Sequence, residues 1–72
     1  MEEDKKVVIN KEDYSEHPVI MELYLADEAF YRKITNVVKF TEYSNEEAVV
    51  EKSNGDEIYI RRPIVMMSVY NR

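Results

Sequence analysis

The sequence has no cysteine, a single glycine, two prolines and a single histidine in 72 residues. Without cysteine there is no disulfide, no thiolate nucleophile and no Cys-ligated zinc, and the usual staples of a small secreted scaffold are missing, which points to the cytoplasm. With Gly55 alone, no glycine-rich phosphate loop can be built, so Walker and dinucleotide-binding motifs are excluded. A histidine-based metal site would have only His17 and would need carboxylates for its other ligands, and no HExxH-type spacing is present; no cofactor is expected. No apolar run approaches the roughly 18 residues of a membrane-spanning helix. Met1 leads into Glu-Glu-Asp-Lys-Lys, the reverse of a signal peptide's basic start, so the chain is expected to be neither spanning nor exported. Its length suits one domain with one small core and argues against an enzyme with a deep cleft.

Charge is plentiful and unevenly placed. Fifteen acidic residues face ten basic ones, a net of −5. Residues 1–11 are balanced and residues 58–72 carry +3, from Arg61, Arg62 and Arg72, so residues 12–57 hold twelve carboxylates against four cations, a net of −8. Such a field repels nucleic acid and anionic lipid and attracts basic surfaces in a salt-dependent way. The chain is therefore expected to bind neither DNA, RNA nor membrane directly, and the plain alternative is that this charge serves solubility.

The hydrophobic pattern is mainly β. Residues 1–18 read as a polar N-terminal segment with one short strand at about 6–9, and residues 19–72 as a small β domain. Residues 19–25 place Met21, Leu23 and Leu25 on one side of a strand. A helix competes over residues 18–33, where Ile20, Leu23, Tyr24, Tyr31 and Ile34 recur at three- and four-residue spacings, an α+β alternative. Phe30, Ile34, Val38 and Phe40 share one parity and Lys33, Thr35, Lys39 and Thr41 the other, which predicts a long half-buried strand. Asn54-Gly55 predicts a type I′ hairpin turn. After Arg62-Pro63, six of the seven residues 64–70 are apolar, with Val65, Met67 and Val69 expected to face opposite to Ile64, Met66 and Ser68. One of these rows lacks a partner in so small a core, so Val65, Met67 and Val69 are expected to form a homodimer interface.

The order of these elements resembles the five-stranded SH3-like small barrel of the Sm-like and YolD-like proteins. The residues that carry the resemblance are Tyr31-Arg32-Lys33-Ile34-Thr35-Asn36-Val37-Val38 for a bent strand, Asn54-Gly55-Asp56-Glu57-Ile58-Tyr59-Ile60 for a hairpin, and Pro63-Ile64-Val65 for a tight link. Asn36 stands where the bent strand usually has glycine, and the RNA-binding positions of Sm proteins have no counterpart. The resemblance implies such a barrel or a strongly bent antiparallel sheet, and an assembly or adaptor role. In composition the chain is also similar to the small acidic host-takeover inhibitors of lytic phages, several of which mimic DNA.

Asp13, Ser15 and His17 lie two apart in a polar segment and do not read as a triad, which needs side chains converging on one proton and an oxyanion site. The pairs Asp27-Glu28, Glu46-Glu47 and Asp56-Glu57 each fall at a predicted turn, where carboxylates stay ionised rather than acquiring the raised pKa of a general acid. No enzymatic activity is expected. With Glu42, Glu51 and Tyr43 these pairs form the expected partner-binding surface, held at phosphate-like distances for a basic groove. Each desolvated charge-assisted contact would contribute about 1.5–3 kcal/mol. Tyr24, Tyr31, Tyr43 and Tyr59 suit an interface that is dry at one end of the ring and wet at the other. The expected partner is a basic host protein that binds nucleic acid, a histone-like nucleoid protein being one example.

Overall fold

The computed structural model describes residues 6–71. Six strands, β1 (Val8–Asp13), β2 (Val19–Leu25), β3 (Arg32–Tyr43), β4 (Ala48–Lys52), β5 (Glu57–Ile60) and β6 (Ile64–Tyr70), form one antiparallel sheet in the order β5-β4-β3-β2-β6, with β1 also paired to β3. The fold is mainly β and no helix is present among the described residues. Residues 19–25 are strand: Val19, Met21, Leu23 and Leu25 are buried while Ile20, Glu22 and Tyr24 between them are half-buried, the period-two pattern that a helix would scramble.

The twelve-residue β3 organises the sheet. β2 and β1 lie end to end along one of its edges and β4 runs along the other. β1 is longer than the predicted strand at 6–9, because its ladder to β3 needs only backbone, and Lys11, Glu12 and Asp13 pair there while remaining exposed. The parity expected for β3 is broken twice. One register shift, against β2, falls between Ile34 and Val37 and includes Asn36, whose φ is +57°, and another, against β4, falls between Val37 and Lys39, so the buried residues are Ile34, Val37 and Phe40 at three-residue steps. Phe30, predicted to face inward, precedes the strand and is 84% exposed, and Val38 is only half-buried.

These irregularities let β3 curl. Ile60 at the end of β5 lies opposite Ala48, beside the β3–β4 turn, and Ile64 at the start of β6 lies opposite Leu25, beside the β2–β3 turn. A flat twelve-residue strand would hold those turns roughly 35–40 Å apart. Residues 61–63 can bridge at most about 14 Å. The sheet is therefore strongly bent, and the two turns are drawn toward each other. It does not close into a barrel, since β5 pairs only with β4 and β6 only with β2.

The hollow of the bend holds the core, ten buried side chains of which Phe40, Met21, Leu23, Ile60, Val37 and Val50 are the largest fully enclosed. The β4–β5 hairpin differs from the predicted type I′ turn. Only Gly55 has positive φ (+94°), its N–H donates to the Lys52 carbonyl at 3.0 Å, and Lys52 N–H donates to the Asp56 carbonyl at 2.8 Å, a type I turn followed by a left-handed glycine. Asn54 is spared positive φ because its Oδ1 accepts from Asp56 N–H at 2.9 Å and holds the loop as an Asx turn. In β6 a register shift between the partners of Tyr24 and Leu25 puts both Ile64 and Met67 against the core. Val65 sits in the irregularity, 71% exposed, so the predicted common face of Val65, Met67 and Val69 is not formed.

Candidate acidic interface

Asp27, Glu28, Glu46, Glu47 and Asp56 lie where expected, in the hairpin connections, while Glu57 opens β5, and the bend sorts the three pairs into two groups. Asp27 occupies the left-handed region (φ +64°), a conformation that aspartate tolerates in turns, and is exposed. Its neighbour Glu28 accepts hydrogen bonds from Arg32 Nε at 3.2 Å and Nη2 at 2.8 Å, and Arg62 Nε lies 3.3 Å away. The Arg32 hydrogen bonds hold its carboxyl below the usual carboxylate range. Glu28 thus ties the β2–β3 turn to the link between β5 and β6.

Glu46, at φ +67°, and Glu47 form the β3–β4 turn, closed by Tyr43 N–H donating to the Glu47 carbonyl at 2.7 Å. Lys6 Nζ is 3.0 Å from Glu47 and stands 5.6 Å over the Tyr43 ring, and its hydrogen bond lowers the Glu47 pKa. Glu42, Tyr43, Glu46 and Glu47 line a cleft of about 140 Å³ with Arg62 and Ile64. The structure therefore gathers these four predicted residues, links them through Arg62 to Glu28, and supplies cations among them. This group is partly neutralised.

The second group belongs to the β4–β5 hairpin. Glu51 lies directly opposite Glu57, with Asp56 beside it in the turn, and the hairpin rests on the bend through Ser53 N–H donating to the Asn36 carbonyl at 2.9 Å. A row Asp13, Lys39, Glu51, Glu57 crosses four strands. Its one cation leaves Glu57 facing only a like charge in the ladder, an arrangement that disfavours pairing. Tyr59 donates its hydroxyl proton to Glu57 at 2.8 Å, which raises the Tyr59 pKa. Asn54 Nδ2 donates to Asp56 at 3.1 Å.

An aromatic surface on β2, β6 and the start of β3 was only partly foreseen. Tyr24 and Tyr31 stack at 5.4 Å between ring centroids, and Tyr70 donates to Glu22 at 2.6 Å, which pushes its pKa up to about 12. Tyr70 carried no signal in the sequence, because its partner lies 48 residues away and is fixed only by the β2–β6 register. Asp13 Oδ1 accepts from both Ser15 N–H (2.8 Å) and Ser15 Oγ (2.5 Å), which lower its pKa and shape the chain between β1 and β2. With His17 these residues line an open groove of about 670 Å³, and Ser15 is spent on Asp13 as a bend-forming donor. Among the described residues no group of three or more His, Cys, Asp or Glu is placed to hold a metal ion. No helix there is long and apolar enough to cross a membrane. No protein family, curated protein or solved structure matches the chain.

Proposed function

We propose that the chain is a non-enzymatic acidic interaction protein that covers the basic, nucleic-acid-binding surface of a host protein, an inhibitor of the phage type acting by DNA mimicry. The observation that carries this reading is the β4–β5 hairpin, where Glu51, Asp56 and Glu57 are kept together although Glu51 and Glu57 oppose each other across the ladder. Like charges in register cost stability, and that cost is offset if a cationic partner accepts them. No polar or charged side chain is buried among the described residues, and Asp56 and Glu57 are exposed and make no ion pair there. The Glu46-Glu47 turn contributes less, since Lys6 already occupies Glu47.

A histone-like nucleoid protein serves as the probe, with displacement of labelled duplex DNA as the readout. The chain should displace duplex at low salt and progressively less as salt rises. The variant D56K/E57K should lose displacement and E46K/E47K should retain most of it, although both change net charge by +4. Failure to displace duplex at any salt concentration, or equal loss in the two variants, would overturn the reading. A second reading, an assembly or adaptor module, is favoured by the tyrosine surface of Tyr24, Tyr31 and Tyr70, and predicts a partner held independently of salt.

A further inference from the structure

Among the described residues three strands have an unpaired edge: β1, β5 and β6. An open edge templates pairing with another chain, and soluble proteins blunt such edges with charge, proline or bulges. β1 carries Lys11, Glu12 and Asp13 over half its length, and β5 is short and begins with Glu57. β6 has seven residues and no charged side chain. Its irregularity at Val65 lies near one end, leaving the ladder to β2 regular from Met66 to Tyr70. Met66 is 54% exposed, and Val69 is 36% exposed although it lies opposite the wholly buried Met21. The core face thus runs out at β6 with nothing beyond it, because the sheet does not close.

We propose that β6 is where two copies of this chain meet, pairing edge to edge and antiparallel across a two-fold axis, so that the two sheets become one. The charge distribution selects the occupant. With a net charge of −5 and a surplus of carboxylates over residues 12–57, two copies repel wherever those surfaces approach. The edge of β6 presents no charge to its copy. A basic protein, in contrast, gains no electrostatic attraction from an uncharged strand and is drawn to the acidic hairpin instead. Antiparallel pairing about a two-fold sets each β6 against its own sequence, so both edges are satisfied by one isologous contact. It carries the inner face of Met67 and Val69 onto the inner face of the second copy, covering the side chain that the single chain leaves open.

Sedimentation velocity over a concentration series, with hydrogen exchange of the same samples, tests this directly. The expected result is a monomer–dimer equilibrium, with amides of β6 gaining protection as concentration rises while those of β1 and β5 do not. The variant V65K/V69K should weaken dimerisation at least about tenfold. Because Val69 lies opposite the buried Met21, a lysine there can cost stability, and the hydrogen-exchange result on the unaltered chain stands independently of whether that variant folds. A single monomeric species up to about 500 µM, far above the micromolar range of ordinary transient dimers, would overturn the proposal. So would a dimer in which β6 gains no protection, or one that a folded V65K/V69K leaves unchanged.

Discussion

Replacing Glu57 by lysine should make the protein more stable. Glu57 faces Glu51 across the β4–β5 ladder, and Glu51 has Lys39 on its other side, so Glu57 is the member of the row whose only charged ladder neighbour repels it. Cross-strand charge pairs contribute roughly 0.2–1 kcal/mol, unfavourable when like and favourable when opposite, so the reversal swings the pair by about 1 kcal/mol. The hydrogen bond from the Tyr59 hydroxyl is lost, but it is exposed and water replaces it. In a domain of this size that swing raises the melting temperature by about 4–8 °C. The gain is electrostatic and near the surface, so it should shrink as the ionic strength goes from about 20 mM to about 0.5 M and the screening length falls. Thermal unfolding followed by circular dichroism at both salt concentrations measures it, and displacement of duplex from the basic probe measures the cost to binding. Stability and binding should move in opposite directions. A melting temperature that falls at both salt concentrations would refute the reasoning, since the acidic hairpin would then owe its composition to the fold.

Gly55→Ala isolates backbone strain, because a Cβ at Gly55 meets nothing within 4 Å while φ is +94°; denaturant titration should show a loss of about 1 kcal/mol or somewhat more. Glu28, whose carboxyl pKa is lowered in the fold by Arg32, contributes stability that is present above the ordinary carboxylate value of about 4.3 and lost as pH falls through its lower folded value. Melting temperatures of E28Q should accordingly lie below the parent's near neutral pH and converge with them in acid. Tyr70, with its pKa pushed up to about 12, should ionise well above the ordinary tyrosine value in an ultraviolet titration, and E22Q should bring it down. Its raised pKa adds stability below the ordinary tyrosine value of about 10 that is lost as pH rises toward 12.

The strands of this protein are legible where one residue step equals one step in the ladder. In β2 the alternation from Val19 to Leu25 is regular in the sequence and in the fold, and the helical spacing of Ile20, Leu23 and Tyr24 yields to the ladder that β3 and β6 provide on either side. In β3 the reading fails, because register is a relation between strands. Val37 and Phe40 are both buried only because the shifts beside Asn36 add a residue on one side of the ladder. Asn36 takes a φ of +57°, a conformation that asparagine adopts more readily than most residues. The carboxylates were visible at their turns, but their counter-ions were not. That Arg62 reaches Glu28 follows from the bend, and that Lys6 reaches Glu47 follows from the pairing of β1 with the end of β3, neither of which a spacing along the chain encodes.

The bend also explains why acidity and the open edge belong to one design. The curled, unclosed sheet keeps three free edges among the described residues, and a chain so rich in β-branched and aromatic residues would stack indefinitely if all three were apolar. Charge on β1 and at the start of β5 removes two of them from play. Pairing through β6 alone gives a closed two-fold assembly, because an isologous contact consumes the edge that makes it. That dimer would present two β4–β5 hairpins, each with Glu51, Asp56 and Glu57, on one continuous sheet. Two carboxylate clusters held by a rigid ladder lose less entropy on meeting a basic surface than two joined by a flexible linker, so the proposed dimer would add avidity to the proposed acidic face without any new contact. Glu57, which guards the β5 edge, would then be among the carboxylates displayed in duplicate.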